Sequence, residues 1–132
     1  MCDDTFTIQD RLQEIIESID LIQQWSEGIA TAHDFMLTPN RVMAFNACVM
    51  RLQVIGEHVG RLLKSDAEIV DKYPQIPWRA IYGMRNLISH EYANINENIV
   101  VDVIHNELEP LREVINKMLG ELNVQIRNKN NF

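Results

Sequence analysis

Apolar side chains recur along this chain in steps of three and four between a few Gly and Pro breaks, and that spacing admits helices rather than strands. Ile8, Leu12, Ile15, Ile19 and Ile22 alternate steps of four and three. Ile16 and Ile29 widen the stripe, while Asp10, Glu14, Glu17 and Gln24 fall on other faces. The pattern predicts an amphipathic helix of about six turns ending near Gly28. Thr38-Pro39 predicts the next start, with Thr38 as N-cap and Pro39 in the first helical position. Its stripe is Val42, Phe45, Val49, Leu52, Gly56, Val59 and Leu63, ending around Lys64-Ser65. Gly56 inside that helix costs about 1 kcal/mol relative to alanine, which the close approach of another helix would offset.

Ser65 or Asp66 is placed to cap a short helix running through Ala67, Ile69 and Val70 to Tyr73. Pro74-Gln75-Ile76-Pro77 then breaks the chain, and Pro77 fits the start of a helix from Trp78 to Tyr92. Ala93-Asn94-Ile95-Asn96 reads as a turn with Asn96 as the following N-cap. The last long helix presents Ile99, Val103, Leu108, Leu111, Ile115, Met118 and Leu122, with a kink or short break expected at Pro110 in its middle. The polar tail from Arg127 to Phe132 is expected to fray. No strand alternation, internal repeat or low-complexity tract interrupts this pattern. The expected fold is all-α: one domain over residues 1–132, an antiparallel helical bundle of about four to five helices with its core at 8–122.

Composition narrows the function classes. The 132 residues suit one core, and 46% hydrophobic with 23% charged residues is an ordinary globular balance. No apolar run reaches the length of a membrane span, and the start Met1-Cys2-Asp3-Asp4 has no secretory pattern. Cys2 and Cys48 stand alone and read as reduced thiols, so a cytoplasmic protein without membrane partners is expected. A net charge of −7, from 19 acids and 12 bases, argues against a protein that coats nucleic acid non-specifically. It leaves room for one local basic cleft, and an acidic surface suits a basic protein partner.

Chemistry concentrates in Met84-Arg85-Asn86-Leu87-Ile88-Ser89-His90-Glu91-Tyr92, where the spacing is Arg-x4-His-x-Tyr. Arginine is a permanent cation whose planar fork fits phosphate. Histidine exchanges protons near neutral pH. Together Arg85 and His90 suggest work on a phosphodiester, and Tyr92 adds a hydroxyl open to modification. At about 100° per residue, Arg85 and His90 point roughly 140° apart on a regular helix and share no face. Asn86 and His90, four apart, do share one, so Asn86 is placed to orient the imidazole. A single helix therefore makes a poor active site from this spacing. A two-fold dimer would bring second copies of the same residues to one cleft, so a homodimer with a composite site is expected. RNA cleavage is the matching reaction, with His90 as base or acid and Arg85 on the phosphate, and it needs no metal or other cofactor. The plainer alternative stands beside it: a histidine near a helix end favoured by the helix dipole, and a solvated arginine.

With its flanks, the motif resembles the signature of HEPN domains, in particular HepT-like toxins. Arg85-Asn86-x3-His90-x-Tyr92 carries the signature, and Ile76-Pro77-Trp78-Arg79-x-Ile81-x-Gly83-Met84 resembles the run leading into it. Ile55-Gly56-Glu57 and Leu108-Glu109-Pro110-Leu111 match shorter signatures, so the resemblance covers about residues 8–120. It implies a helical-bundle dimer with the two motifs facing across the interface. It implies a metal-independent endoribonuclease, the toxin of a type VII toxin–antitoxin pair. The implied partner is an MNT-type minimal nucleotidyltransferase antitoxin that transfers AMP from ATP to Tyr92, placing charge and bulk where the RNA phosphate must bind. Arg85 and His90 carry over as catalytic residues and Asn86 as a helper. The main rival is a HEPN protein without nuclease activity that serves as the substrate-binding subunit of a minimal nucleotidyltransferase. A third reading is a purely structural helical dimer.

Other positions carry weaker signals. Glu57 and His58 lie mid-helix, where Glu57 either lines the cleft beside Gly56 or is solvated. Asp102, His105 and Glu109 step by three and four like a metal-binding helix face, but one histidine with two acids makes a weak ligand set. Trp25, Trp78 and the methionines read as core or interface, Trp78 as an alternative mark of the partner surface. Arg41, Arg51 and Arg61, ten apart, drift around their helix and form no basic stripe.

Overall fold

A computed structural model describes residues 7–130, except the side chains of Ser89, Glu91, Tyr92 and Asn130. Cys2 lies outside the described residues. The chain folds as α1 (Ile8–Trp25), α2 (Ala32–Phe35), α3 (Pro39–Ser65), α4 (Ala67–Val70), α5 (Trp78–Glu91), a single 3-10 turn (Tyr92–Asn94), α6 (Glu97–Asn106) and α7 (Leu108–Asn130). It is an all-α bundle with no strand among the described residues. Five of these helices span ten residues or more, and α2 and α4 are single turns.

Polar contacts fix the packing direction. Gln9 Nε2 donates to Asn123 Oδ1 at 3.0 Å, and Gln23 Nε2 donates to Glu109 Oε1 at 3.1 Å. Contacts that advance along α1 thus retreat along α7, so the two helices run antiparallel. Cys48 meets the Ile22 carbonyl and Arg51 meets Ser18, while His58 meets Glu14, so α3 also runs against α1. The core lies between them, with Leu12, Ile15, Ile19 and Ile22 of α1 buried against Val49, Leu52, Ile55, Val59 and Leu62 of α3 and Leu111, Ile115 and Met118 of α7.

The helix starts follow from local chemistry. Thr7 and Asp10 form a reciprocal capping box at α1, and the Thr38 hydroxyl accepts from the Arg41 N–H with Pro39 in the first turn of α3. The Asn96 side chain accepts from the Asn98 N–H at the start of α6. Gly28, at φ +80°, turns the chain beyond α1, and Ile29 is buried from the loop rather than from a sixth helical turn. Pro77 precedes α5, and its carbonyl accepts the Ile81 N–H.

Two expectations need correction. The break in the last long helix falls at Glu107, three residues before Pro110, which becomes a first-turn residue of α7 where its missing donor costs little. That break uncouples the two apolar stripes: α6 buries Val100, Val101 and Ile104, while Ile99 is exposed. The tail continues as helix to Asn130 although it is solvated, with Arg127 and Lys129 complementing the negative C-terminal end of the helix dipole. Trp78 falls in the core, the first of the readings given for it, rather than on an exposed partner surface. It is buried, and its Nε1–H donates to the Tyr73 carbonyl at 2.9 Å.

Among the described residues, no helix is long and apolar enough to cross a membrane.

Candidate active site on α5

Helix α5 carries the motif, and its placement is decided by two glycines of α3. A Cβ built on Gly56 would lie 2.4 Å from Arg85 Cβ and 3.2 Å from the Ile81 carbonyl oxygen. A Cβ on Gly60 would lie 2.4 Å from the ring of Tyr82. Only a helix without side chains at these two positions lets α5 come so close, so the cost of glycine in a helix interior is offset by helix packing. Ile81 and Ile88, seven apart, face the core on the same side. Contacts again advance on one helix while they retreat on the other, so α5 runs antiparallel to α3.

Arg85 is half-buried against Gly56. Its Nη1 donates to Asn86 Oδ1 at 3.1 Å, and its Nε is buried with no hydrogen-bond partner. Asn86 therefore braces the guanidinium. No Asn86–His90 hydrogen bond occurs among the described residues, contrary to the expected bracing of the imidazole. The amide oxygen is instead taken by the adjacent guanidinium, a charged donor.

His90 is exposed in the last turn of α5. Gly83, Asn86, Leu87 and His90 share the face of α5 turned away from the core, and Leu87 there is 50% exposed. A single chain thus does not bring Arg85 and His90 together: the arginine leans on α3 and the histidine points into solvent. The Tyr92 backbone begins the 3-10 turn, and its side chain is not among those described.

Arg85 also forms part of a polar groove of about 420 Å³ between α3 and α5, lined by Glu57, Gly60, Arg61, Lys64, Ser65, Tyr82 and Arg85. Glu57 does line the cleft beside Gly56. Arg61 and Lys64 belong here too, although comparison of Arg61 with Arg41 and Arg51 along one helix gave no basic stripe. The available signal was the spacing of Glu57, Arg61 and Lys64 at i, i+4 and i+7, read together with Arg85 across the helix pair. A second hollow of about 210 Å³ lies beside the motif and is mostly apolar, with Met84, Leu87, Ile88, Ile95 and Ile99 among its walls.

Three other marked residues, His105, Glu109 and His58, have structural partners. His105 Nε2 lies 2.9 Å from the Ile29 carbonyl oxygen, and Glu109 pairs with Arg112 and accepts from Gln23. No group of three His, Cys, Asp or Glu that could hold a metal ion occurs among the described residues. His58 is buried between Glu14 (3.2 Å from Nε2) and Arg11 (3.4 Å from Nδ1). Burial pushes its pKa below the ordinary value, opposed by the Glu14 carboxylate. Burial also pushes the Cys48 thiol up to about 12, so it is no nucleophile.

The family model described as ribonuclease HepT-like matches residues 15–118 of the chain. A candidate RNase of Caldanaerobacter subterraneus subsp. tengcongensis is 32% identical over 108 residues, covering 82% of this chain and 90% of its own length. A Methanocaldococcus jannaschii protein, named as a gamma-glutamylcyclotransferase and candidate RNase, is 30% identical over 120 residues. That match covers 91% of this chain, which spans about half (50%) of the archaeal protein's length. The probable ribonuclease HepT of Thermococcus cleftensis is 24% identical over 110 residues, 83% of this chain and 94% of its own. No solved structure gives a significant match.

Proposed function

Because the chain belongs to the HepT-like ribonuclease family, we propose that it is a metal-independent endoribonuclease whose active site joins Arg85 of one protomer to the partner's His90. The observation that carries the reading is the divergence of the two side chains on α5. Arg85 is packed toward α3 and His90 is exposed on another face, so the chemistry needs a second copy.

The outer face of α5 supports that assembly. Gly83 is exposed, lies in a helix interior, and a Cβ there would meet nothing within 4 Å. Nothing in the protomer requires glycine, which costs about 1 kcal/mol relative to alanine. A second α5 crossing at Gly83, beside the exposed Leu87, supplies the reason.

The reaction is a transesterification. His90 takes the proton from a ribose 2′-hydroxyl, the 2′-oxygen attacks the adjacent phosphorus, and the bond to the 5′-oxygen breaks. Solvent water delivers a proton to that leaving oxygen, so each site uses one histidine. Arg85, braced by Asn86, holds the phosphate and offsets the extra negative charge of the transition state. The products are a 2′,3′-cyclic phosphate and a free 5′-hydroxyl.

In this reading the enzyme is the toxin of a toxin–antitoxin pair, and an MNT-type nucleotidyltransferase antitoxin silences it by adding AMP to Tyr92. A phosphodiester-linked adenosine two residues from His90 repels the RNA phosphate and fills its space. Mass spectrometry of protein co-expressed with such a partner is expected to find AMP on Tyr92. Modification exclusively at other residues would sink that assignment.

The deciding experiment incubates purified, unmodified protein with total RNA in EDTA, beside His90→Ala and Arg85→Ala. Cleavage by the parent alone is the expected result. Intact RNA in every lane would remove the nuclease and leave a substrate-binding subunit of a nucleotidyltransferase.

A further inference from the structure

We propose that the groove between α3 and α5 is a subsite for the backbone phosphates of single-stranded RNA, holding nucleotides next to the one that is cut. The inference rests on the ribonuclease reading for its location beside the reacting phosphate. It goes beyond that reading in giving α3 residues a substrate-binding role.

The charge balance is the first argument. Three cations, Arg61, Lys64 and Arg85, line the groove against the single carboxylate of Glu57. This lies on a chain whose net charge is −7, so the groove opposes the sign of the whole molecule. Among the described residues, no carboxylate forms an ion pair with any of the three cations. Arg112, by contrast, engages Asp20 and Glu109. Glu57 offsets one of the three, and the remaining local excess of positive charge favours an added anion.

The second argument is geometric. Glu57, Arg61 and Lys64 stand on one face of α3, and Gly56 and Gly60 draw α5 against it, bringing in Arg85 and Tyr82. From residue 57 to residue 65 the wall runs about 12 Å along the helix at 1.5 Å per residue, longer than one phosphate needs. A volume of about 420 Å³ lies within the range that accommodates a ligand. Tyr82 adds aromatic surface beside the basic side chains, the pairing that single-strand binders use.

The third argument is continuity. Arg85 belongs both to the motif and to the groove, and its buried Nε has no hydrogen-bond partner. A buried donor without a partner marks a place where a further acceptor is missing. A strand whose scissile phosphate meets Arg85 continues into the groove, where Arg61 and Lys64 receive the next phosphates.

The test uses a short, end-labelled 2′-O-methyl oligoribonucleotide, which lacks the attacking hydroxyl and cannot be cut. Its binding to full-length, unmodified protein is followed by fluorescence anisotropy over a series of salt concentrations. Arg61→Gln combined with Lys64→Gln is expected to weaken binding about tenfold or more and to flatten the slope of log Kd against log salt by about 1.4, two phosphates' worth. Glu57→Gln, which removes the opposing charge, is expected to tighten binding. Both cations are exposed, so the double variant should melt like the parent. Parental affinity and slope in the double variant would overturn the subsite, as would an absence of RNA binding by the parent. Scission of natural RNA is measured in parallel. Cleavage with groove-independent binding defeats the subsite alone, and groove-dependent binding without cleavage defeats the nuclease reading alone.

Discussion

Gly56 lies where a methyl group would stand 2.4 Å from Arg85 Cβ, an atom fixed to the backbone of α5 and unable to swing away. Alanine at this position would gain about 1 kcal/mol of helix propensity. It would also wedge apart two helices at their tightest contact, and overpacking of this kind costs about 1–3 kcal/mol. Gly56→Ala is therefore expected to be destabilising on balance and to displace Arg85 along with its backbone. Thermal melts and RNA cleavage on one preparation check this. A more stable, fully active Gly56→Ala would show that the helices tolerate separation and that the position of Arg85 does not depend on the glycine. The sequence marks Gly56 as an anomaly that a close helix would explain, and the structure identifies that helix. Gly60 carries the same role against Tyr82, but its meaning appears only once α5 is docked.

Helices α1 and α3 were legible because their apolar residues keep a strict three-and-four spacing and their starts have capping side chains, Thr7 with Asp10 and Thr38 before Pro39. The phase of α6 was not, because Ile99, Val100 and Val101 are consecutive and fit more than one stripe. Placing α6 and α7 on one helix chose Ile99, whereas the break at Glu107 lets Val100 and Ile104 turn inward. Helix α2 is a single turn, too short to show a period, and its start is stabilised by the Asp34 carboxylate accepting from the Ala30 and Thr31 N–H groups. The contact of α1 with α3 also holds a pH-sensitive element. His58 is buried, accepts from Arg11 through Nδ1 and donates from Nε2 to Glu14, which is the hydrogen-bonding pattern of a neutral ring. Burial lowers its pKa in the fold. Above the ordinary value of 6.5 the ring is neutral folded or unfolded, and this contribution to stability is fully present. As pH falls below it, the unfolded chain takes up a proton that the fold resists, so stability is lost progressively toward the folded pKa. The melting temperature is expected to fall as the pH drops below about 6.5, and His58→Gln is expected to flatten that fall. Equal slopes in parent and variant would show that other groups control acid sensitivity.

In the whole molecule, the candidate site is split by the geometry of α5. The pattern Arg-x4-His is legible in the sequence, and so is the roughly 140° between its two side chains on a helix. What one chain could not reveal is that Arg85 is anchored against α3 and joined to Arg61 and Lys64, while His90 is left on an open face with Gly83 and Leu87. The proposed completion of the site across a two-fold axis makes a sharp genetic prediction. Arg85→Ala and His90→Ala homodimers are each expected to be inactive, since every site lacks one group. A heterodimer of the two variants, co-expressed with different affinity tags and purified through both, keeps one site in which Arg85 faces the partner's His90. The other site has lost both groups. Such a heterodimer is expected to cut RNA at about half the parental rate per dimer. Activity no higher than that of either homodimer would mean that each protomer uses its own arginine and histidine, and α5 would then have to unwind near its end to bring them together. Restored cleavage would make dimer formation a condition of activity, so that dilution below the dimer dissociation constant disarms the enzyme with no change to any catalytic residue.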